Sequence, residues 1–218
     1  SVQAAFLLLP GPFWDGWIYD LLFRRGEYGA FMDPFDANGR PLGGRVLWLA
    51  MDWFSVTGGP KLLSALSLVG AAMALYATLR LRDRLPSAGA ALVCVVTVTV
   101  PAIQTSLSSS ALQFFLGFFC FFAGLYGFAL AAASAGWVRV LAYGLALVLG
   151  AASVLLAEAP LSMLPLYPFT WLVVREGWQR LVRPDRAMLG TLLCHGAPVA
   201  AGALALVATF TLFPATGN

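Results

Sequence analysis

Charge is what this sequence has least of. Only 11% of its 218 residues are Asp, Glu, Lys or Arg, against 60% in the apolar set. A soluble domain carries about 25% charged residues. Too little polar side chain is present to clothe a soluble globule, a disordered chain or an ordinary cytosolic enzyme. Lysine is nearly missing, since 12 of the 13 cations are Arg and the exception is Lys61. No run of five or six like charges occurs, and no basic stripe alternates with aromatics, so nucleic acid is not an expected partner. Histidine occurs once, at His195 inside an apolar run, which leaves no histidine pair for a metal and favours a packing role for that ring. The three cysteines, Cys94, Cys120 and Cys194, also sit in apolar runs. They read as small buried thiols, not as a disulfide frame or a zinc site. Glycine-rich phosphate loops and a serine-nucleophile elbow are missing too, which removes soluble-nucleotide chemistry.

What is present in abundance is long apolar sequence, with a mean hydropathy of +0.83. A bilayer-crossing helix needs roughly 20 mostly apolar residues. Six runs meet or approach that length: 62–79, 90–107, 111–133, 140–157, 159–174 and 188–213. The fifth holds Pro160, Pro165 and Pro168, so a bent or broken helix is predicted there. Residues 1–10 read as the end of a further, first span, and 214–218 as a short tail. The chain is expected to begin partway through that first helix and to stop soon after the sixth complete one. The predicted fold is therefore an all-α polytopic integral membrane protein. Six complete transmembrane helices fill 62–213, part of a first occupies 1–10, and an interfacial helical cap is built from 11–61.

The cations give an orientation. If the spans alternate, the connections at 80–89, 134–139 and 175–187 share one side and hold eight of the 13 cations. Cytoplasmic loops are enriched in Arg and Lys. Residues 11–61 are then extracytoplasmic, and the expected setting is the inner (plasma) membrane of a bacterium. Seven of the ten acids lie on the outer side.

Within 11–61, residues 13–25 read as an amphipathic helix. Trp14, Trp17, Ile18, Leu21 and Leu22 form one apolar stripe at helical spacing. Asp15 and Tyr19 share its polar flank, and Asp20 with Arg24 makes an i,i+4 ion pair in the favourable order. Such a helix lies in the interface plane. Residues 32–45 read as turns, because Asp33-Pro34, Asn38-Gly39 and Gly43-Gly44 are turn dipeptides. Residues 45–54 read as a second interfacial or re-entrant helix.

The run Asp15-Gly16-Trp17-Ile18-Tyr19, then Gly26-Glu27-Tyr28, then Gly39-Arg40-Pro41-Leu42 resembles the multi-span glycosyltransferases of the GT-C class. These place an acid at the start of a juxtamembrane helix after the first span, then a Tyr, a Gly with an aromatic, and a Pro-Leu. Gly16 stands where that class often has Glu. The resemblance implies a polyprenyl-phosphate sugar donor, membrane lipids around it, and an acceptor on the outer face. It implies Asp15 as the base that takes the acceptor proton. Tyr19, Tyr28, Arg40, Arg45 and Glu158 are the expected substrate-binding residues, the arginines gripping phosphate. Asp33 and Asp36 are the expected ligands of a divalent Mg²⁺ or Mn²⁺. The rival expectations are a transporter or flippase, which needs a polar cavity near the bilayer midplane, and a non-catalytic membrane subunit.

Overall fold

In a computed structural model of the chain, the described residues are 16–38, 40–54, 58–81, 86–99, 112–157, 159–177 and 186–196, with a few positions between 200 and 211. All regular structure among them is helical. Three short helices come first: α1 (Gly16–Arg25), α2 (Tyr28–Ala37) and α3 (Pro41–Trp53). Then follow α4 (Gly58–Arg80), α5 (Ser87–Thr99), α6 (Leu112–Ala133) and α7 (Gly136–Leu156). A 3₁₀ stretch (Ala159–Met163) leads into α8 (Leu166–Glu176), and α9 (Arg186–Cys194) comes last.

Of the helix foreseen over 13–25, the described part is α1, and its Asp20–Arg24 pair closes at 2.8 Å on the surface. The helix stops at Gly26, whose φ of 69° is left-handed. The Gly26 amide donates to the Phe23 carbonyl and the Glu27 amide to that of Leu22. This double closure is the Schellman motif.

The turns foreseen at 32–45 are mostly helix instead. Asp33-Pro34 lies inside α2, where Pro34 removes one backbone donor. Gly43-Gly44 lies in the first turn of α3, which opens on Pro41 at a position where a missing N–H costs nothing. These two glycines serve close approach, not a turn. A Cβ on Gly44 would stand 2.7 Å from the Phe35 ring, and one on Gly43 would stand 2.9 Å from Gln113 Oε1. Among the described residues of these dipeptides, Asn38 behaves as a turn former. Its Nδ2 donates to the Pro34 carbonyl at 2.7 Å, capping α2.

Three described helices are long and apolar enough to cross a membrane, namely α4, α6 and α7. Of the six complete spans expected, the described residues support these three. In the run 90–107, the described helix is α5, which ends at Thr99 after 13 residues. The rest of that run lies outside the described residues. The run 159–174 is broken where its prolines predicted. A 3₁₀ stretch there precedes an 11-residue helix with Pro168 in its first turn. In the run 188–213, the continuous described helix is α9, of nine residues. Hydropathy averages across the break at 159–165, because an apolar residue scores alike in a helix and in the chain that interrupts it.

The two flanking long helices, α4 and α7, are built inside out relative to a soluble bundle. On α4 the buried positions include Gly59, Ser64, Ser67 and Ala71, whereas Leu62, Leu66, Val69 and Met73 are exposed. On α7 the buried positions are mostly Ala, Gly and Ser, and Val140, Leu141, Leu145 and Val148 face outward. Small residues at helix contacts and large apolar ones outside are what a lipid solvent selects. The described chain is thus all-helical and compatible with an integral membrane protein.

α6 is the central helix, packed by α4 on one side and α7 on the other. Its register against α7 is antiparallel. Cβ atoms on Gly117, Gly124 and Gly127 would meet the carbonyls of Ser153, Ala146 and Ala142 in turn, at 3.2–3.3 Å. Leu63 at the start of α4 and Leu112 at the start of α6 pack into the same cluster as α2 and α3. One end of the bundle therefore carries the cap α1–α3. The other end carries the close of α4, the turn between α6 and α7, and the close of α8. Midway between them, Phe121, Phe128 and Tyr167 are fully buried, and the Tyr167 ring meets Phe121 edge-on and Phe128 at a tilt, each at 5.5 Å.

Candidate functional site

The cap is held by aromatic rings. Phe31, fully buried, has Tyr19 at 5.1 Å and Trp48 at 5.0 Å, the latter edge-on at 89°. Tyr19 also meets Phe35 at 5.0 Å, and Phe23 meets Trp48 at 4.6 Å. Edge-to-face pairs of this kind add about 0.5–1.5 kcal/mol each beyond burial. The packing draws on Tyr19, Leu22 and Phe23 of α1. It leaves Trp17, Ile18 and Leu21 exposed on the flank that carries the foreseen apolar stripe.

The cap then docks on the bundle through the first turn of α3. At Gly43 the approach is to Gln113 of α6 and, at 3.2 Å from a built Cβ, to the Leu156 carbonyl at the end of α7. Arg40, immediately before α3, places its guanidinium carbon 4.9 Å from the centre of the Phe114 ring, a cation–π contact. Gln113 is buried, and its Oε1 has no hydrogen-bond partner. An amide oxygen left so costs about 1–3 kcal/mol. Lys61, in the first turn of α4 at the same end of the bundle, is only 5% exposed. Arg40, Lys61 and Gln113 thus give this end two cations and an orphaned acceptor, all at or below the level of the cap.

The foreseen site residues fare differently. Asp15 and Glu158 lie outside the described residues; each adjoins a described and buried neighbour, Gly16 and Ala157. Arg40 stands at the docking turn as described. Tyr19 is a packing residue of the cap, its ring between those of Phe31 and Phe35. Tyr28 is exposed, with its ring edge against Trp48 at 5.0 Å. Arg45 and Asp36 answer one another. Arg45 Nη1 donates to Asp36 Oδ1 at 3.4 Å and also to the Pro41 carbonyl, tying α2 to α3. A cation at Asp36 would compete with this guanidinium, and Asp33 beside it is exposed. Among the described residues no group of three His, Cys, Asp or Glu side chains converges. With Asp36 already engaged by Arg45, no step is routed through a metal there.

Gln113 and Lys61 carry weight that their place in the sequence understates. Gln113 reads as a polar cap on a turn, and Lys61 as one more cation of the outer segment. Both stand in the first turn of a long apolar helix, where the sequence alone does not tell a buried polar group from a solvated one.

No protein family, curated protein or solved structure matches this chain.

Proposed function

We propose that this chain belongs to a membrane glycosyltransferase of the GT-C type. It moves a sugar from a polyprenyl-phosphate donor to an acceptor at the cap face of the membrane. The observation that carries the reading is the docking of α3. Its glycine turn brings Arg40, Gln113 and the end of α7 to one place, under a cap whose first helix directly follows Asp15 in sequence. The reactive bond of such a donor lies at headgroup level, the depth at which interfacial helices sit. Asp15 takes the proton of the acceptor hydroxyl as the new glycosidic bond forms at the anomeric carbon. The bond from that carbon to the lipid phosphate breaks, and the electron pair leaves with the phosphate. Arg40 and Lys61 offset the charge that develops there. Glu158 follows Ala157 at the close of α7 and supplies a second anion beside the cation-like sugar.

In this reading the chain crosses the bilayer six times, and the cap faces away from the cytoplasm. Arg80, Arg139, Arg175 and Arg186 are then cytoplasmic, as positively charged loops favour. The mid-bundle core of Phe121, Phe128 and Tyr167 weighs against a transporter, which keeps a polar site near the midplane.

The test is transfer of a labelled sugar from polyprenyl-phosphate donors by the full-length protein in proteoliposomes. Asp15→Asn is expected to lower turnover about 10²–10⁴-fold, the usual worth of a general base. Turnover equal to wild type removes the assigned base and, with it, this reading.

A further inference from the structure

The end of the bundle opposite the cap holds a cavity of about 550 Å³ that the proposed sugar transfer does not use. Three separate elements build it. Arg139 comes from the first turn of α7, Trp171 and Arg175 from α8, and His195 from the residue that follows α9. The His195 ring stacks on Trp171 with centroids 3.9 Å apart and planes 25° apart. Tyr143 lies 6.4 Å from the same imidazole and 6.1 Å from the indole. The imidazole Nδ1 is shielded from solvent and has no hydrogen-bond partner.

Arg139 is held in place by its own backbone surroundings. Its Nε and Nη2 donate to the Ser134 carbonyl at 2.9 and 2.6 Å. A guanidinium has five N–H donors, so both hydrogens on Nη1 remain for a ligand. The Arg175 guanidinium carbon lies 6.0 Å from the Trp171 ring centre. Among the described residues no carboxylate comes within ion-pair distance of either arginine. Two cations facing one cavity, with an imidazole in its wall, call for an anion with several acceptor oxygens. The wall beside them is apolar: Val140 lines the cavity, and Trp137 and Leu141 flank it on the exposed face of α7. That face suits an acyl chain, and basic pockets between membrane helices are where anionic headgroups bind.

We propose that this cavity binds the phosphate headgroup of an anionic membrane phospholipid. Arg139 and Arg175 grip the phosphate oxygens, and His195 hydrogen-bonds to the same group. The site is independent of the glycosyltransferase reading, since it uses none of its residues and lies at the other end of the bundle.

His195 is the sole histidine of the sequence, so ¹⁵N-histidine labelling of the full chain gives one imidazole to follow. The protein is placed in nanodiscs of phosphatidylcholine, and phosphatidylglycerol is then titrated in. The imidazole resonances are expected to shift with phosphatidylglycerol. The half-saturating fraction should rise about tenfold or more in Arg139→Gln and in Arg175→Gln, as loss of charged hydrogen bonds requires. Arg139→Lys and Arg175→Lys keep the charge but lose the fork. They are expected to respond between wild type and the Gln variants, and they carry the comparison if a Gln variant misfolds. Resonances that do not move with phosphatidylglycerol overturn the proposal. So does a response equal in wild type and in the Lys variants. An equal shift on adding inorganic phosphate to pure phosphatidylcholine discs overturns the lipid assignment and makes the ligand a soluble anion.

Discussion

Adding one methyl group at Gly124 tests how the bundle is locked. A Cβ there would collide with the Tyr167 hydroxyl, which is buried and donates to the Phe121 carbonyl at 2.9 Å. In Gly124→Ala the tyrosine must withdraw and give up that bond. Overpacking of this kind costs about 1–3 kcal/mol, and an interhelical hydrogen bond in a membrane is worth about 0.6–1.7 kcal/mol. Alanine returns up to about 1 kcal/mol of helix propensity, so the net loss is about 1–3 kcal/mol. Tyr167→Phe by itself should cost about 1 kcal/mol. In the Tyr167→Phe background the colliding oxygen is gone. The methyl then meets only the Ala146 carbonyl and Leu149 Cβ, each at 3.3 Å, which asks for a shift of a few tenths of an ångström. There Gly124→Ala should cost no more than about 1 kcal/mol, the propensity gain offsetting the residual tightness. The expected coupling is therefore about 1–2 kcal/mol. The assay is reversible unfolding of all four proteins in mixed detergent micelles, followed by circular dichroism. Additive single effects would refute the placement of α8 against α6.

Three further outcomes follow from the cap. Phe31→Ala should cost about 3–5 kcal/mol, as truncation of a fully buried ring does. Hydrogen exchange should quicken in α1–α3 and not in α6 or α7, and a uniform change along the chain would show that the cap is not a separate packing unit. Asp36→Asn should cost less than about 1 kcal/mol, because the Asp36–Arg45 pair is partly exposed, at 29% and 37%. Any divalent-ion response of sugar transfer should be the same in that variant, and loss of the response would return Asp36 to the role of metal ligand. Gly43→Val should lift the first turn of α3 off Gln113 and Leu156 and slow sugar transfer about tenfold or more, since small misplacements are costly in catalysis. Wild-type turnover with this variant would separate the docking turn from the site.

The two ends of the bundle differ in a way that suits two tasks. The cap end is closed over by aromatic packing and shields a buried Gln and Lys. The opposite end is open, arginine-bearing and lined by Trp171 and His195. Between them, α6 and α7 approach closely along Gly117, Gly124 and Gly127, so a closely packed helix pair joins the two ends.

Much of this was already written in residue order. The low charge and the apolar runs fixed the membrane-compatible, all-helical character. The stripe over 17–22 placed α1, the i,i+4 spacing placed the Asp20–Arg24 pair, and Pro160, Pro165 and Pro168 marked the break before α8. These are properties of neighbours along the chain, where helical period and proline sterics act alone. The tertiary structure decided the rest. Gly43-Gly44 scores as a turn by itself and became helix because Gln113 and Phe35 crowd its face. Tyr19 has the spacing of a site residue and went to packing because two phenylalanines of α2 surround it. Arg139, Arg175 and His195 lie far apart in sequence, and only antiparallel packing brings them to one cavity. Which residue meets which across helices depends on register and crossing. That information lies in the shapes of distant surfaces, not in any local run.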